Sequence, residues 1–560
     1  MIEIIYVFSE TVKTYRMAKE LHFQFDAQTR LLRGATILVN AVKITLGPKS
    51  KSVLIGKKWG KPVVCNDGVT IAKEIELKDQ IENMGAQMLR EVAERTGDAV
   101  GDGTSTATVI AYAIFTEGLK NVTAGSSAID LKRGLFRGSE IAIQAIRTLS
   151  KIITTHHEME QVATISAHND PAIGKFVADA LEKVGPSGIV TVEEAQGTET
   201  TVEVVKGLQF DRGYLSPYFI TDPAKMETKL ENPLILLHEK KIGSIEPLVP
   251  LLEQLIKSGR PLLVIAEDVE REALAMMVVN KLRATLSCAA VKAPGFGDAR
   301  RDMFEDIAVL TGGQLLSEEL GIKLENVKIS DLGAAAHVII DKDHTTIIDG
   351  AGNKQAISER LEQIKQQIKN SKSEYDKQKL EERLGKLSGG VAVIRAGAPS
   401  ETELKSKKEA LDDAISATKA AVTEGIVPGA GLALLRAIDA LEKEAPKLQG
   451  DEKTAFQILA HALEAPTRQI AENSGDDGGV VVNKMRSGSG AFGFDASTRT
   501  YVDLIQQGII DPTKVLRIAI ENAVSIASML LLTQATLTET KDAEKVEPHL
   551  GALPNVEASL

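Results

Sequence analysis

The apolar residues of this chain change their spacing twice, and that switch constrains the fold more than any single motif. From about Lys19 to Leu149 they recur every three to four residues. In RLLRGATILVNAVKITLG, Leu31, Leu32, Ala35, Leu38, Val39 and Val42 share one helical face before Gly47-Pro48 stops the helix. IENMGAQMLREVAERTGDAV repeats the device with Ile81, Met84, Met88, Val92 and Ala93, and Gly97 is expected after the last turn. Between about 185 and 350 the pattern shifts to short β-rich runs, among them GIVTVEEA, PLILLHE, PLLVIAED and HVIIDKD, interleaved with helical stretches. After GGVAVIRAG the helical texture returns and runs to about Leu532. This order describes a helical domain interrupted by an α/β insertion.

At 560 residues the chain exceeds what one hydrophobic core fills, so about two to four domains are expected. Hydrophobic residues at 43% and charged residues at 26% fit a folded globular protein. A net charge of -11 argues against a nucleic-acid surface, which needs Lys and Arg to neutralise phosphates. Cys65 and Cys288 stand far apart without a CxxC partner, so neither a zinc site nor a disulfide framework is signalled and a reducing compartment fits. IASMLLLT near residue 530 reads as core, and no membrane span is expected. The first sixteen residues lack a basic region and a small-residue cleavage site, so they read poorly as a signal peptide. The segment 357–387 reads as a helical hairpin whose charges form a solvated outside. The last stretch, from TETKDAEK onward, is polar and proline-dotted and reads as a loose tail.

Within AVGDGTSTATVI, Asp102 stands between two glycines, and Thr104, Ser105 and Thr106 open an apolar helix. Taken alone this is a helix cap; helix-opening amides also suit an anion such as phosphate. ITLGPKSKS and GIVPGAGLALL share the same flavour, and each alone is a helix stop or a packing device. Gly488-Ser-Gly490-Ala-Phe-Gly493 matches G-x-G-x-x-G, but FDAS follows where a helix should, so it is no dinucleotide fingerprint. No Walker-type G-x-x-x-x-G-K-[ST] occurs. Carboxylates suited to a nucleotide hydrolase are Asp67, Asp102, Asp412-Asp413 and Asp511. Asp412 and Asp413 lie about 100° apart on a helix and cannot both face one site. His156-His157 lacks metalloprotease spacing and reads as exposed polar sequence.

The motifs TLGPK, NDGVTIAKEIEL, NMGAQM, GDGTSTATV, FDRGYLSPYF, KAPGFGD, VLTGGQ, EGIVPGAG and GIIDPTKV stand in the order found in GroEL-type group I chaperonins. The chain resembles that family from about Met17 to about Thr538, nearly its whole length. The resemblance implies a multidomain α and α/β fold. A helical equatorial ATPase domain would span 17–148 and 424–540, a small α/β intermediate domain 149–205 and 392–423, and an α/β apical domain 206–391. Residues 1–16 would be an N-terminal extension and 541–560 a flexible tail.

The resemblance also implies a function. Thr45, Leu46, Gly47 and Pro48, with Asp102, Gly103, Thr104, Ser105 and Thr106, match the family's phosphate-cradling segments, and Asp102 would coordinate Mg2+. Gly429, Ala430 and Gly431, with Asp495, Ala496, Ser497 and Asp511, resemble the base and ribose pocket. Asp413 resembles the carboxylate that positions the hydrolytic water, and Asp67 a second acidic position near the γ-phosphate. Tyr214, Tyr218, Phe219, Val249, Leu252, Leu274, Val278 and Val279, with Asn280 beside them, match the apolar rim that grips non-native polypeptides and a GroES-type co-chaperonin. The cofactors implied are ATP, Mg2+ and K+. The assembly implied is two stacked seven-membered rings, in a bacterial cytoplasm or, as the alternative, an organelle matrix or stroma.

Some positions depart from the family pattern. Asn66 replaces a lysine near the phosphates, Ser105 a threonine, and Ala430 the middle of three glycines; Asp495 and Ser497 replace Asn and Ala. Ala430 and Asn66 motivate a second reading, a protein-binding ring or scaffold with weak ATP turnover.

Overall fold

The computed structural model describes residues 19–539 apart from 57–61, 154, 168, 186–187, 196, 224, 318–323, 372–373 and 389. The N-terminal segment 1–16 and the tail 541–560 lie outside the described residues. The chain divides into two compact units, one made of 1–152 with 423–560 and the other of 153–422. An α/β block is thus inserted into a helical one.

The first unit is helical because its apolar stripes interlock. Its long helices are Gln24–Val42, Gln80–Val100, Thr104–Thr123, Ala128–Leu149, Leu432–Glu444, Gly450–Asn473 and Thr513–Leu532. Their buried faces make one continuous core that draws on both ends of the chain, from Leu31, Leu38 and Leu89 to Ile520 and Leu531. Close approach depends on two glycines: a Cβ on Gly34 would lie 1.7 Å from the Glu82 carbonyl oxygen, and one on Gly85 2.0 Å from that of Leu31. Helix Gln80–Val100 passes through Gly97 and ends at Gly101, whose φ of 72° suits glycine. Packing along the helix outweighs the weak helix preference of Gly97. Strand Lys19–Phe23 pairs antiparallel with Ala535–Glu539, tying the two ends together. Helix Thr513–Leu532 is long and apolar enough to cross a bilayer by length and composition. Here Val515, Leu516, Ala519, Ile520, Ala523, Val524 and Leu531 are core.

In the second unit, strands Leu234–His238, Leu262–Ala266 and Cys288–Lys292 run parallel. The first two are buried along their whole length, which is why they read as unbroken aliphatic runs and not as alternation. Antiparallel strands Gly333–Ile340, Thr345–Gly350 and Gly207–Phe210 extend this sheet on the other side. A separate three-stranded sheet places Val391–Ala396 between Ile189–Glu194 and Thr201–Val205. That sheet shares its own core with helices His156–Ser166, Pro171–Val184 and Glu401–Glu424.

Helices Lys354–Asn370 and Glu374–Ser388 pack together, with Ile357, Ile364 and Leu387 buried. Two of their charges do not belong to the solvated outside that the sequence suggests. Arg360 and Arg383 both donate to Asp306, which is 1% exposed, and Arg383 also donates to Asp302 at 2.6 Å. The carboxylates of helix Gly297–Thr311 make burial of these guanidinium groups tolerable by giving each planar fork a paired acceptor.

Candidate functional site

In the first unit, three segments meet around the start of helix Thr104–Thr123. Gly101 and Gly103 flank Asp102, and both hold positive φ. Gly103 is the N-cap residue; a Cβ there would lie 2.4 Å from Val515 Cγ1, so a side chain is excluded and no side chain caps the helix. Its opening amides, at Thr104, Ser105 and Thr106, therefore face outward with the positive end of the helix dipole.

Thr45 approaches from the second segment. Its hydroxyl donates to the Val42 carbonyl at 2.8 Å, which leaves the Ser105 hydroxyl as donor in their 3.0 Å contact. The loop continues through Leu46, Gly47 at φ 90° and Pro48. It is clamped by Asn473, whose amide donates to the carbonyls of Lys43 at 2.9 Å and Leu46 at 2.8 Å.

The third segment is Asn66-Asp67-Gly68. A Cβ on Gly68 would meet Ser105 Oγ at 2.3 Å and Thr104 Oγ1 at 3.0 Å, so backbone abuts the hydroxyls directly. Asp67 caps helix Gly68–Glu74 by accepting from the amides of Val69 and Thr70.

Asp511 lies opposite Val427 in the short ladder of Ile426–Pro428 with Ile510–Pro512. Just beyond that ladder the Gly429 amide donates to the Ile509 carbonyl at 2.9 Å, which places the Gly429-Ala430-Gly431 loop beside it. Burial, and then the neighbouring Asp102 carboxylate, push the Asp511 carboxyl up to about 7. Asp102 and Asp511 therefore share one acidic locality.

Asp495 ends strand Phe492–Asp495, and Ala496 and Ser497 open the turn to Thr500–Asp503, so a hairpin stands where a dinucleotide motif would need a helix. One Asp495 oxygen accepts from the Ser497 amide at 2.8 Å and hydroxyl at 2.6 Å; the other accepts from Thr498 Oγ1 at 2.6 Å. Desolvation raises this carboxyl, but those hydrogen bonds outweigh it and hold it below the usual aspartate range. The departures at 495 and 497 are thus partners of each other. Ala496 is buried.

Asp413 stands on helix Glu401–Glu424 of the second unit, half-buried. Its neighbour Asp412 is paired with Lys225 Nζ.

The rim candidates divide by exposure. Tyr218 is 65% exposed, Val249 41% and Val279 38%, whereas Tyr214, Leu252, Leu274 and Val278 are half-buried against the core. Phe219 is wholly buried, and its carbonyl accepts from Thr228 Oγ1, so it supports the Tyr218 turn from below. Lys281 Nζ fixes that turn to helix Arg271–Leu282 by donating to the carbonyls of Tyr218 at 2.8 Å and Ile220 at 2.9 Å. The Asn280 amide donates back to Met276 O.

Comparison with known proteins agrees with this architecture. The TCP-1/cpn60 chaperonin family pattern matches residues 38–541. The chain is also 61% identical over 527 residues to the protein named Chaperonin GroEL 5 of Bradyrhizobium diazoefficiens, covering 94% of this chain and 97% of that one. The chain belongs to the TCP-1/cpn60 chaperonin family. As a GroEL-type chaperonin it has a role in protein folding, within a family of ATP-binding ATPases.

Several residues that shape these surfaces carry no sequence signal. Asn473 reaches across from the far half of the chaperonin chain to hold residues 43 and 46, and nothing in AENSG marks it. Val515 excludes a side chain at 103 in the same silent way. Ile256, Met276 and Leu282 are 45%, 44% and 65% exposed on the helices that carry Val249 and Val279. For Met276, Val279 and Leu282 a signal exists: spacing of three on one side of a helix whose other side, at Ala273 and Met277, is already buried.

Proposed function

We propose that this chaperonin is an ATP-driven folding machine that holds Mg2+-ATP in its first unit and captures non-native polypeptides on the apolar face of its second. The observation that carries the nucleotide reading is the meeting of Thr45, Gly68 and the Thr104–Thr106 helix opening. Amides, hydroxyls and a dipole end converge there, which is chemistry for phosphate oxygens and needs no Walker motif.

Magnesium fits this donor set. Among the described residues no three His, Cys, Asp or Glu side chains converge as a metal site. An ion held by Asp102 and by phosphate oxygens is therefore the suitable arrangement, and Mg2+ binds in that way, through one or two carboxylates plus phosphates. The raised Asp511 carboxyl supports it: burial lifts it first and the Asp102 charge second, and a divalent cation held by Asp102 would offset that charge. When bound, the ion would neutralise developing charge on the transferred phosphoryl group. Asp413 is the residue assigned to orient the hydrolytic water. Asp67, held by its cap, would present a fixed second carboxylate; Asn66 stands beside it. Gly429, Ala430, Gly431, Asp495, Ala496, Ser497 and Asp511 are assigned to base and ribose, and K+ to the phosphate region.

On the second unit, exposed Tyr218, Val249, Ile256, Met276, Val279 and Leu282 supply apolar surface that any unfolded chain can meet. A GroES-type co-chaperonin would compete for the same face. Two stacked seven-membered rings, a cytoplasmic setting and the division into equatorial, intermediate and apical domains complete the proposal.

The test is Mg2+- and K+-dependent ATP hydrolysis, measured alongside refolding of a denatured client with a GroES-type partner. Both activities are expected, and Asp413→Ala should slow hydrolysis at least tenfold while leaving ADP affinity within about threefold. Hydrolysis without client rescue would overturn the folding reading, and client binding with little hydrolysis would favour the scaffold.

A further inference from the structure

Residues Gly429 to Leu432 form a tight turn in which the Leu432 amide donates to the Gly429 carbonyl at 3.0 Å. Both middle residues hold positive φ, Ala430 at 53° and Gly431 at 73°. Two consecutive left-handed residues are the pattern of a type I′ turn, which glycine, asparagine and aspartate adopt readily. Alanine does so only against the clash of its Cβ with the backbone, so something outside the turn must hold Ala430 there.

The holding group is Thr467, on helix Gly450–Asn473 and 2% exposed. Its Oγ1 donates to the Ala430 carbonyl at 3.1 Å. A helical threonine commonly turns its hydroxyl back to the carbonyl one turn earlier. Here the hydroxyl reaches out of the helix to the loop. The same oxygen lies 2.3 Å from the place a Cβ on Gly431 would occupy, so the turn is pressed against it with no room for a side chain at 431. From the other side, Gly429 N is bound to Ile509 O, two residues before Asp511. The turn is therefore pinned just before Ala430 and again at the Ala430 carbonyl, and the pins set where its backbone stands beside the strand that carries Asp511.

We infer that Thr467 is a positioning residue for nucleotide binding, locking the Gly429–Gly431 turn through the Ala430 carbonyl; this rests on the ATP reading above. Without the hydroxyl, Ala430 relaxes toward negative φ and the peptide it shares with Gly431 rotates out of its place beside the Asp511 strand. Affinity falls while the chemical step, which depends on other groups, is preserved. A glycine at 430 has no such strain, so the turn would then need the threonine much less.

The test uses the full-length assembled protein and four variants: Thr467→Val, Thr467→Ser, Ala430→Gly and Ala430→Gly combined with Thr467→Val. The readouts are KM and kcat for ATP, ADP affinity by calorimetry, and melting temperature. Thr467→Val should raise KM and weaken ADP binding about fivefold, the scale of one lost hydrogen bond, with kcat within about twofold. Thr467→Ser should restore the wild-type KM. In the Ala430→Gly background the valine should cost less than about twofold. A threonine that merely packs would lower the melting temperature equally in both backgrounds and leave KM where it was, and that result overturns the inference. Equal losses for Ser and Val overturn it as well. ATP binding that Thr467→Val leaves intact defeats the inference alone; a wild-type protein that binds no ATP defeats the nucleotide reading and the inference with it.

Discussion

Helices Thr513–Leu532 and Arg271–Leu282 are both built largely from aliphatic side chains, and they treat them in opposite ways. The first buries Val515, Leu516, Ala519, Ile520, Ala523, Val524, Ile526 and Leu531 against helices Gln80–Val100, Thr104–Thr123 and Ala128–Leu149. The second buries only Ala273 and Met277 and leaves Met276, Val279 and Leu282 facing out. What differs is the neighbour. Alanines every four residues let the first helix sink into its bundle, and Gly118 makes room for Leu531, whose Cδ1 lies 2.6 Å from where a Cβ would be. The second helix packs against strand Cys288–Lys292 and the Tyr218 turn and leaves Met276, Val279 and Leu282 exposed. Apolar content alone therefore does not separate a buried core helix from one with an exposed apolar face.

Three substitutions sharpen that contrast, and the largest effect belongs to the core helix. Ala523→Asp places a carboxylate at a position that is 0% exposed, within the apolar core. A loss of more than about 4 kcal/mol is expected, read as failure to recover folded protein or as a collapsed denaturant midpoint. Stability within about 1 kcal/mol of wild type would mean that this helix is not the core it is taken for here.

An intermediate effect is expected at Glu424, whose carboxylate accepts from Arg517 at 2.6 and 3.0 Å. Those hydrogen bonds hold its pKa below the usual glutamate range. The folded protein thus binds this proton less readily than the unfolded chain. The pair's stabilisation is complete above the ordinary glutamate pKa and fades as pH falls through the depressed one. Glu424→Gln should cost about 1–2 kcal/mol at pH 7, allowing for partial solvent screening, and the difference from wild type should shrink in acid. Denaturation curves at several pH values check this; a gap that widens in acid would contradict the sign.

Leu282→Ser should have the smallest effect on stability, within about 0.5 kcal/mol, because the side chain is 65% exposed. Yet it should reduce capture of a denatured client several-fold in an aggregation-suppression assay. Full capture would move the binding face elsewhere.

The sequence makes the alternation of helical and β-rich blocks legible because spacing of three to four and short β-branched runs are local signals. The helix opening at Thr104 and the hairpin at Phe492–Asp503 are legible for the same reason, since the deciding residues are neighbours in the chain. What stays hidden depends on partners far away. Strand Val391–Ala396 enters between Ile189–Glu194 and Thr201–Val205 from nearly two hundred residues downstream. Arg383 reads as a surface charge until Asp306 is seen beneath it. Among the rim candidates, Tyr218 and Phe219 are adjacent in sequence and look alike, but only the fold sends one to solvent and the other into the core. In the proposed nucleotide region the glycines and hydroxyls are legible, whereas the clamp by Asn473 and the grip of Thr467 on Ala430 come from a distant helix.

The place where the helical unit is interrupted has a consequence for how such a chain could arise. Ser150 Oγ donates to the Glu424 carbonyl at 2.7 Å, and Lys151 and Ile426 exchange backbone hydrogen bonds at 2.8 Å in both directions. The outgoing and returning chain are therefore already stitched side by side in the host. A gene segment spliced in at that seam would need no rethreading of the helices around it, and excising it would leave a gap that a short peptide bridge could close.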